Sequence, residues 1–184
     1  MNYNISKLSN NYNLDIDVIE IDNSNNYKIK FYTLGCYMHE VLIPNLYDPY
    51  QKEDVLLGYD KFEDLLQADG YFNSIIGRVC NRIGNSKFKL NNKEYNLFSN
   101  TPPNHLHGGR EGFNKKNWRL DEINNENENI RCTLSYLSKN LEENYPGNLE
   151  CKVIYEFNNK NEIIITFQAI SDEDTIINLT NHNY

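Results

Sequence analysis

The sequence has no Cys-x-x-Cys pair; its four cysteines, Cys36, Cys80, Cys132 and Cys151, stand far apart. Scattered singly, they suit neither a zinc clamp nor the framework of a small disulfide-stapled domain, so reduced thiols are expected. Positive charge is scarce too. Lys and Arg total 18 against 26 Asp and Glu, a net charge of -8. Binding to a phosphate backbone needs clustered Lys and Arg, so no nucleic-acid partner is expected. No apolar run is long enough to cross a bilayer, and the first residues, MNYNISKLSNNYNL, hold no apolar signal core. No membrane association and a cytoplasmic location are therefore expected. The glycosylation patterns Asn4-Ile5-Ser6 and Asn178-Leu179-Thr180 are discounted on the same ground. Neither an internal repeat nor a linker divides the chain, and residues 1–184 are expected to form one domain with a real core.

What the sequence does contain is tyrosine and asparagine. There are 14 Tyr and 8 Phe. Tyrosine suits half-buried strands and also the faces of sugars. Asparagine makes up about one residue in six, which reads as codon bias rather than a prion-like tract.

Short strands separated by turn residues dominate the pattern, predicting an all-β fold of sandwich or barrel type. KIKFYTL (28–34) and YMHEVLIP (37–44) alternate around Gly35. KFKL and KEYNL (87–97) flank Asn91-Asn92, which can supply the positive φ of a two-residue hairpin. Further strands are expected at 117–123, 129–137, 148–157, 161–171 and 175–181. EIIITFQAI, within the fourth of these, is apolar and β-branched and should be covered on both faces and paired on both edges. One short helix is predicted at 60–68, capped by Asp60 with Glu63 as its capping-box partner.

Three polar stretches interrupt the strands. GRVCNRIGN (77–85) sets two arginines around an asparagine. It reads either as a surface turn with solvated arginines, or as a pocket wall where Asn81 and Arg82 hydrogen-bond a hydroxylated ligand. TPPNHLHGG (101–109) carries His105 and His107, which alternation would point in opposite directions. The pair reads as structural, as acid/base or ligand-binding histidine, or as metal ligands, though no third ligand follows at a familiar spacing. NLTNHNY (178–184) places His182 between two asparagines, as an idle tail or as part of a site. His39, in an alternating strand, is expected to be exposed.

Together and in this order, TLGCYMHEVLIP, DVLLGYDKFEDLLQADGYFNSIIGRVCNRIGNSKFKLNNKEYNL, PPNHLHGGREGFNKKNWRL, EENYPGNLECKVIYEF and INLTNHNY resemble the aldose 1-epimerase (galactose mutarotase) family. The resemblance runs from about Tyr32 to Tyr184. It implies a large antiparallel β-sandwich that exchanges the α and β anomers of free aldohexoses, with no metal and no cofactor. A base at the anomeric hydroxyl and an acid at the ring oxygen open the ring, and reclosure on the other face inverts the centre. The resemblance makes Asn81 and Arg82 sugar-binding residues and His107 a sugar ligand near the ring oxygen with a share in catalysis. It makes His182 the proton donor to that oxygen and sets Tyr184 in the same cleft, with Gly108 and Gly109 allowing close packing beside it. Asn114, Asn144 and Asn183 depart from the family's usual residues.

Family members are longer, and their base, a glutamate, lies in the part that would follow. The expectation is an N-terminal portion of the sandwich, truncated on its C-terminal side and inactive alone, with a second chain as one source of the missing half. Glu142 and Glu143 match a different family loop and are not assigned as the base. Two other readings stay open. One is a carbohydrate-binding module that keeps Arg82, His107 and His182 for recognition only. The other is a non-functional relic that aggregates through EIIITFQAI. A sugar-phosphate branch of the same fold would need a positive phosphate pocket, which the net charge of -8 disfavours.

Overall fold

A computed structural model describes residues 1–48 and 50–184. Its first sheet is an antiparallel meander of β1 (Asn2–Lys7), β2 (Asp17–Asp22), β3 (Lys28–Tyr32), β4 (Met38–Pro44) and β5 (Lys52–Asp54), in that spatial order. Alternation sets its two faces. Ile19 and Ile21 lie opposite Phe31 and Ile29, all inward and fully buried. On the opposite face Glu20 lies across from Lys30 and holds Lys28 at 2.9 Å. The helix α1 (Phe62–Gln67) covers another part of that outer face, packing Phe62 with Val18, Tyr32 and Tyr37.

Short ladders follow: β6 (Ile75–Ile76), β7 (Arg82–Ile83), the hairpin β8 (Lys87–Leu90) and β9 (Lys93–Asn96), and β10 (His105–Leu106). A second antiparallel sheet comprises β11 (Arg119–Glu126), β12 (Asn129–Ser138), β13 (Leu149–Asn158) and β14 (Ile163–Ser171). The last strand is β15 (Thr180–Asn181). Ile130, Cys132 and Leu134 of β12 and Cys151, Val153, Tyr155 and Phe157 of β13 meet the inner face of the first sheet. Phe31 and Tyr155 touch across the layers with ring centres 4.7 Å apart. The all-β, two-layer expectation is met. Burial raises the Cys132 and Cys151 thiols to about 12, so both pack as small apolar groups.

Several expectations need correction. β1, β2 and β5 were not foreseen; in DVIEID the adjacent apolar Val18 and Ile19, both buried, blur the alternation. The helix is capped by Lys61 without a side-chain bond, so the Asp60–Glu63 capping box does not form. The strand predicted at 175–181 shrinks to Thr180–Asn181 plus an isolated bridge at Asn178. β14 pairs with β13 along one edge, while its outer face leaves Ile164 and Ile170 exposed. Its other edge has no partner strand among the described residues. His39 is not exposed: a register shift beside β4 turns its ring onto Tyr32, with centres 4.9 Å apart.

Candidate active site

Two short ladders assemble the polar stretches. β15 pairs with β6, setting Asn181 opposite Ile75 and Thr180 opposite Ile76. β10 pairs with β7, setting Leu106 opposite Arg82. Residues 78–80 join the ladders: Asn178 donates its N–H to the Arg78 carbonyl, and Cys80 donates to the Asn178 carbonyl. Ile75 and Leu179 root this assembly in the core. The result brings His107, His182 and Tyr184 together, with Asn81 and Arg82 alongside.

The two histidines of TPPNHLHGG do point apart. His105 is fully buried, with Nδ1 2.8 Å from the Phe98 carbonyl and Nε2 2.7 Å from the Tyr145 hydroxyl. Nδ1 therefore carries the proton and Nε2 accepts, a tautomer assigned from its partners. Both nitrogens are engaged, so His105 has no lone pair for a metal and the His-x-His reading fails on geometry.

His107 turns the other way. Its φ of 52° is left-handed, and it exchanges two bonds with Asn81. Its N–H reaches the Asn81 carbonyl at 3.1 Å, and its Nδ1 accepts the Asn81 N–H at 3.1 Å. An accepting Nδ1 leaves the proton on Nε2. Burial, His182 and the Arg82 guanidinium together push His107 down to about 4. It is a neutral donor near pH 7.

His182 faces it, ring centres 5.0 Å apart and planes at 84°. The His182 N–H donates to the Ser74 carbonyl at 3.0 Å, and its Nδ1 is buried without a partner among the described residues. A bare lone pair costs less there than a buried N–H, so the neutral ring also carries its proton on Nε2. Tyr184 stacks on His182 at 5.2 Å, and Phe72 meets Tyr184 edge-on. Tyr71 packs 4.6 Å from His107 and completes an aromatic wall that sequence reasoning missed. Tyr71 lies six residues before Gly77 in the same quoted stretch, and only its position against both imidazoles singles it out. Beside it opens a polar cleft of about 420 Å³, lined in part by Asp69, Asn100, Arg110 and Asn114.

The two arginines of GRVCNRIGN part company. Arg82 is exposed, with Asn81 Oδ1 accepting its backbone N–H at 2.8 Å. Arg78 is 2% exposed and grips the turns after β12. It donates to Ser138 Oγ and to the carbonyls of Ser138, Lys139, Pro146 and Gly147 at 2.8–2.9 Å. The solvated-arginine reading is therefore wrong for Arg78. Gly108, with φ of 85°, passes so close to Gly77 that a Cβ would strike its carbonyl oxygen. Glu143 lies against Gly109 and accepts the N–H groups of Arg110 and Glu111. Glu142 accepts from Tyr136 and Ser138 hydroxyls at 2.6 and 2.7 Å. Both glutamates are engaged in holding loops.

A model of the family described as Aldose 1-epimerase matches residues 17–184. The chain belongs to the aldose 1-epimerase family. The galactose mutarotase of Homo sapiens is 41% identical over 131 residues, which is 71% of this chain and 36% of that protein. The aldose 1-epimerase of Haemophilus influenzae is 34% identical over 167 residues, 91% of this chain and 46% of its own length. A solved galactose 1-epimerase from Lactobacillus acidophilus superposes with a TM-score of 0.88 at 27% identity, covering 100% of this chain and 52% of that one. This family member thus spans half or less of the curated relatives it matches.

Proposed function

We propose that this chain provides the sugar-binding and proton-donating part of an aldose 1-epimerase site for free aldohexoses. The carrying observation is the cluster itself: two facing imidazoles, both with Nε2–H free to donate, beside an exposed arginine and a wall of tyrosines. Donors of this kind match the ring and hydroxyl oxygens of a pyranose, and aromatic faces match its C–H surface. His107, held neutral, binds a sugar oxygen near the ring, with Asn81 and Arg82 beside it and Tyr184 stacked on His182. His182 is the proton donor to the ring oxygen.

Anomer exchange also needs a base. Burial, His182 and Arg82 are what act on His107, while Glu143 is tied up by the N–H groups of Arg110 and Glu111 and Asp69 sits in the neighbouring cleft. Alone, the chain is therefore expected to bind hexose with little or no catalysis. A second polypeptide carrying a carboxylate would complete it.

One experiment separates the readings. D-galactose and D-glucose are titrated onto the isolated chain by NMR, and α/β exchange is followed in the same tubes. Binding without acceleration is the expected result. Acceleration comparable to a full-length relative would overturn the inactivity, and absence of binding would overturn the site.

A further inference from the structure

Asn73 sits at the turn before β6, 1% exposed, with a left-handed φ of 56°. Its polar groups divide between the segment carrying His182, with its neighbour Leu57, and the start of β4 in the first sheet, where its side chain also bonds Tyr37. Its backbone N–H donates to the His182 carbonyl at 2.8 Å, and its backbone carbonyl accepts the Met38 N–H at 2.9 Å. Its side-chain Oδ1 accepts the Tyr184 N–H at 3.1 Å, and Nδ2 donates to the Leu57 carbonyl at 3.1 Å. Leu57 closes the ring by donating its own N–H to the Tyr184 carbonyl at 3.0 Å.

The β6–β15 ladder stops at Asn181, one residue short of His182. Beyond it, the Ser74 carbonyl and the Asn73 N–H still hold the backbone of His182, whereas the Tyr184 N–H finds no backbone partner among the described residues. The Asn73 amide takes that place. It supplies the acceptor for one Tyr184 group and holds the Leu57 carbonyl whose own N–H takes the other. The bonds bracket His182: its carbonyl is held from one side, and the next residue but one is held from the other. Tyr184, so fixed, presents its ring to the His182 imidazole.

We infer that Asn73 is a positioning residue, whose side-chain amide ties down Tyr184 just past His182 and so holds the His182 ring and the Tyr184 ring in register for the sugar. This rests on the reading of His182 as the proton donor, so the test includes a readout that does not depend on sugar. Asn73→Gly retains the left-handed backbone and both backbone bonds while deleting the amide. The control is Asn23→Ala. It removes a comparably buried amide that bonds Asn158 and Asn161 and touches neither His182 nor Tyr184.

In Asn73→Gly, the NOE between the His182 and Tyr184 rings is expected to vanish and galactose affinity to fall about tenfold. Asn23→Ala, with a similar loss of melting temperature, is expected to keep both. A retained NOE in Asn73→Gly, or an equal affinity loss in the control, overturns the inference. If the unmodified chain binds no hexose, the functional reading fails, while the NOE still decides the positioning. Should Asn73→Gly not fold, amide exchange in the unmodified chain decides it. The Tyr184 N–H is expected to be protected although it lies at the end of the chain, where fraying is usual. Exchange at the rate of an open amide would overturn the proposal.

Discussion

The imidazoles of His107 and His182 meet edge to face, 5.0 Å between centres, although each residue follows the end of a different ladder. Positive charge on His182 or on the nearby Arg82 opposes protonation of His107. The hydrogen bond from Asn81 breaks the symmetry by occupying Nδ1 of His107 only.

That asymmetry gives a pH prediction for His107. Its folded pKa, about 4, lies below the ordinary value of 6.5. Between these values the folded chain binds fewer protons than the unfolded one. The contribution to stability is complete above about pH 6.5 and is lost as pH falls toward 4. A histidine ¹⁵N titration should show His107 still neutral at pH 5.5, with the proton on Nε2. A midpoint near 6.5 would contradict the burial and the Asn81 bond.

Arg82→Ala tests the exposed arginine. It removes no buried contact, so thermal stability should change by about 0.5 kcal/mol or less. Hexose titration should weaken at least several-fold. Unchanged binding would remove Arg82 from the site.

Arg78→Met should behave in the opposite way. It leaves buried carbonyls at Ser138, Pro146 and Gly147 without donors, at a cost of about 3 kcal/mol or more. Chemical denaturation should show that loss directly. A stability within 1 kcal/mol of the unmodified chain, the error scale of an unremarkable substitution of ~1 kcal/mol, would show that the cage contributes little.

The contrast between these arginines marks how far sequence patterns reach. Alternation located the paired strands of the second sheet because each buries one face, as Cys132 and Leu134 do on β12. Asn91-Asn92 was legible because both residues take the positive φ that a two-residue hairpin needs, 50° and 61°. The same alternation predicted opposite directions for His105 and His107 but not which would face the site. Arg78 and Arg82 are one residue type in one stretch, and only the position of the turns after β12 distinguishes them. The helix was legible from Phe62 and its apolar neighbours, but its start was set by tertiary packing of Phe62 with Tyr32 rather than by an Asp60 cap.

The β8–β9 turn offers a stabilising change. Asn91 donates to Asp174 at 2.8 Å and should be left alone. Asn92, with φ of 61°, makes no side-chain hydrogen bond among the described residues, and glycine adopts that conformation without strain. Asn92→Gly creates the Asn-Gly pair favoured in this turn and should raise stability by about 0.5 kcal/mol, read from the denaturation midpoint. A decrease would mean the Asn92 side chain has a role of its own.

Gly108→Ala joins stability to function in one residue. The new Cβ would meet the Gly77 carbonyl oxygen and would also hold a positive φ of 85°. The Gly77–Arg78 backbone must then shift, and with it the Arg78 carbonyl that receives Asn178 on the way to His182. The loss should exceed about 2 kcal/mol, above what a positive φ alone costs a non-glycine residue, because sterics add to strain. At low temperature, where the variant remains folded, the His107–His182 contact should be weakened as well, since the joined ladders carry both rings. An intact inter-ring NOE with unchanged stability would show that the close approach of Gly108 to Gly77 does not control the geometry of the pair.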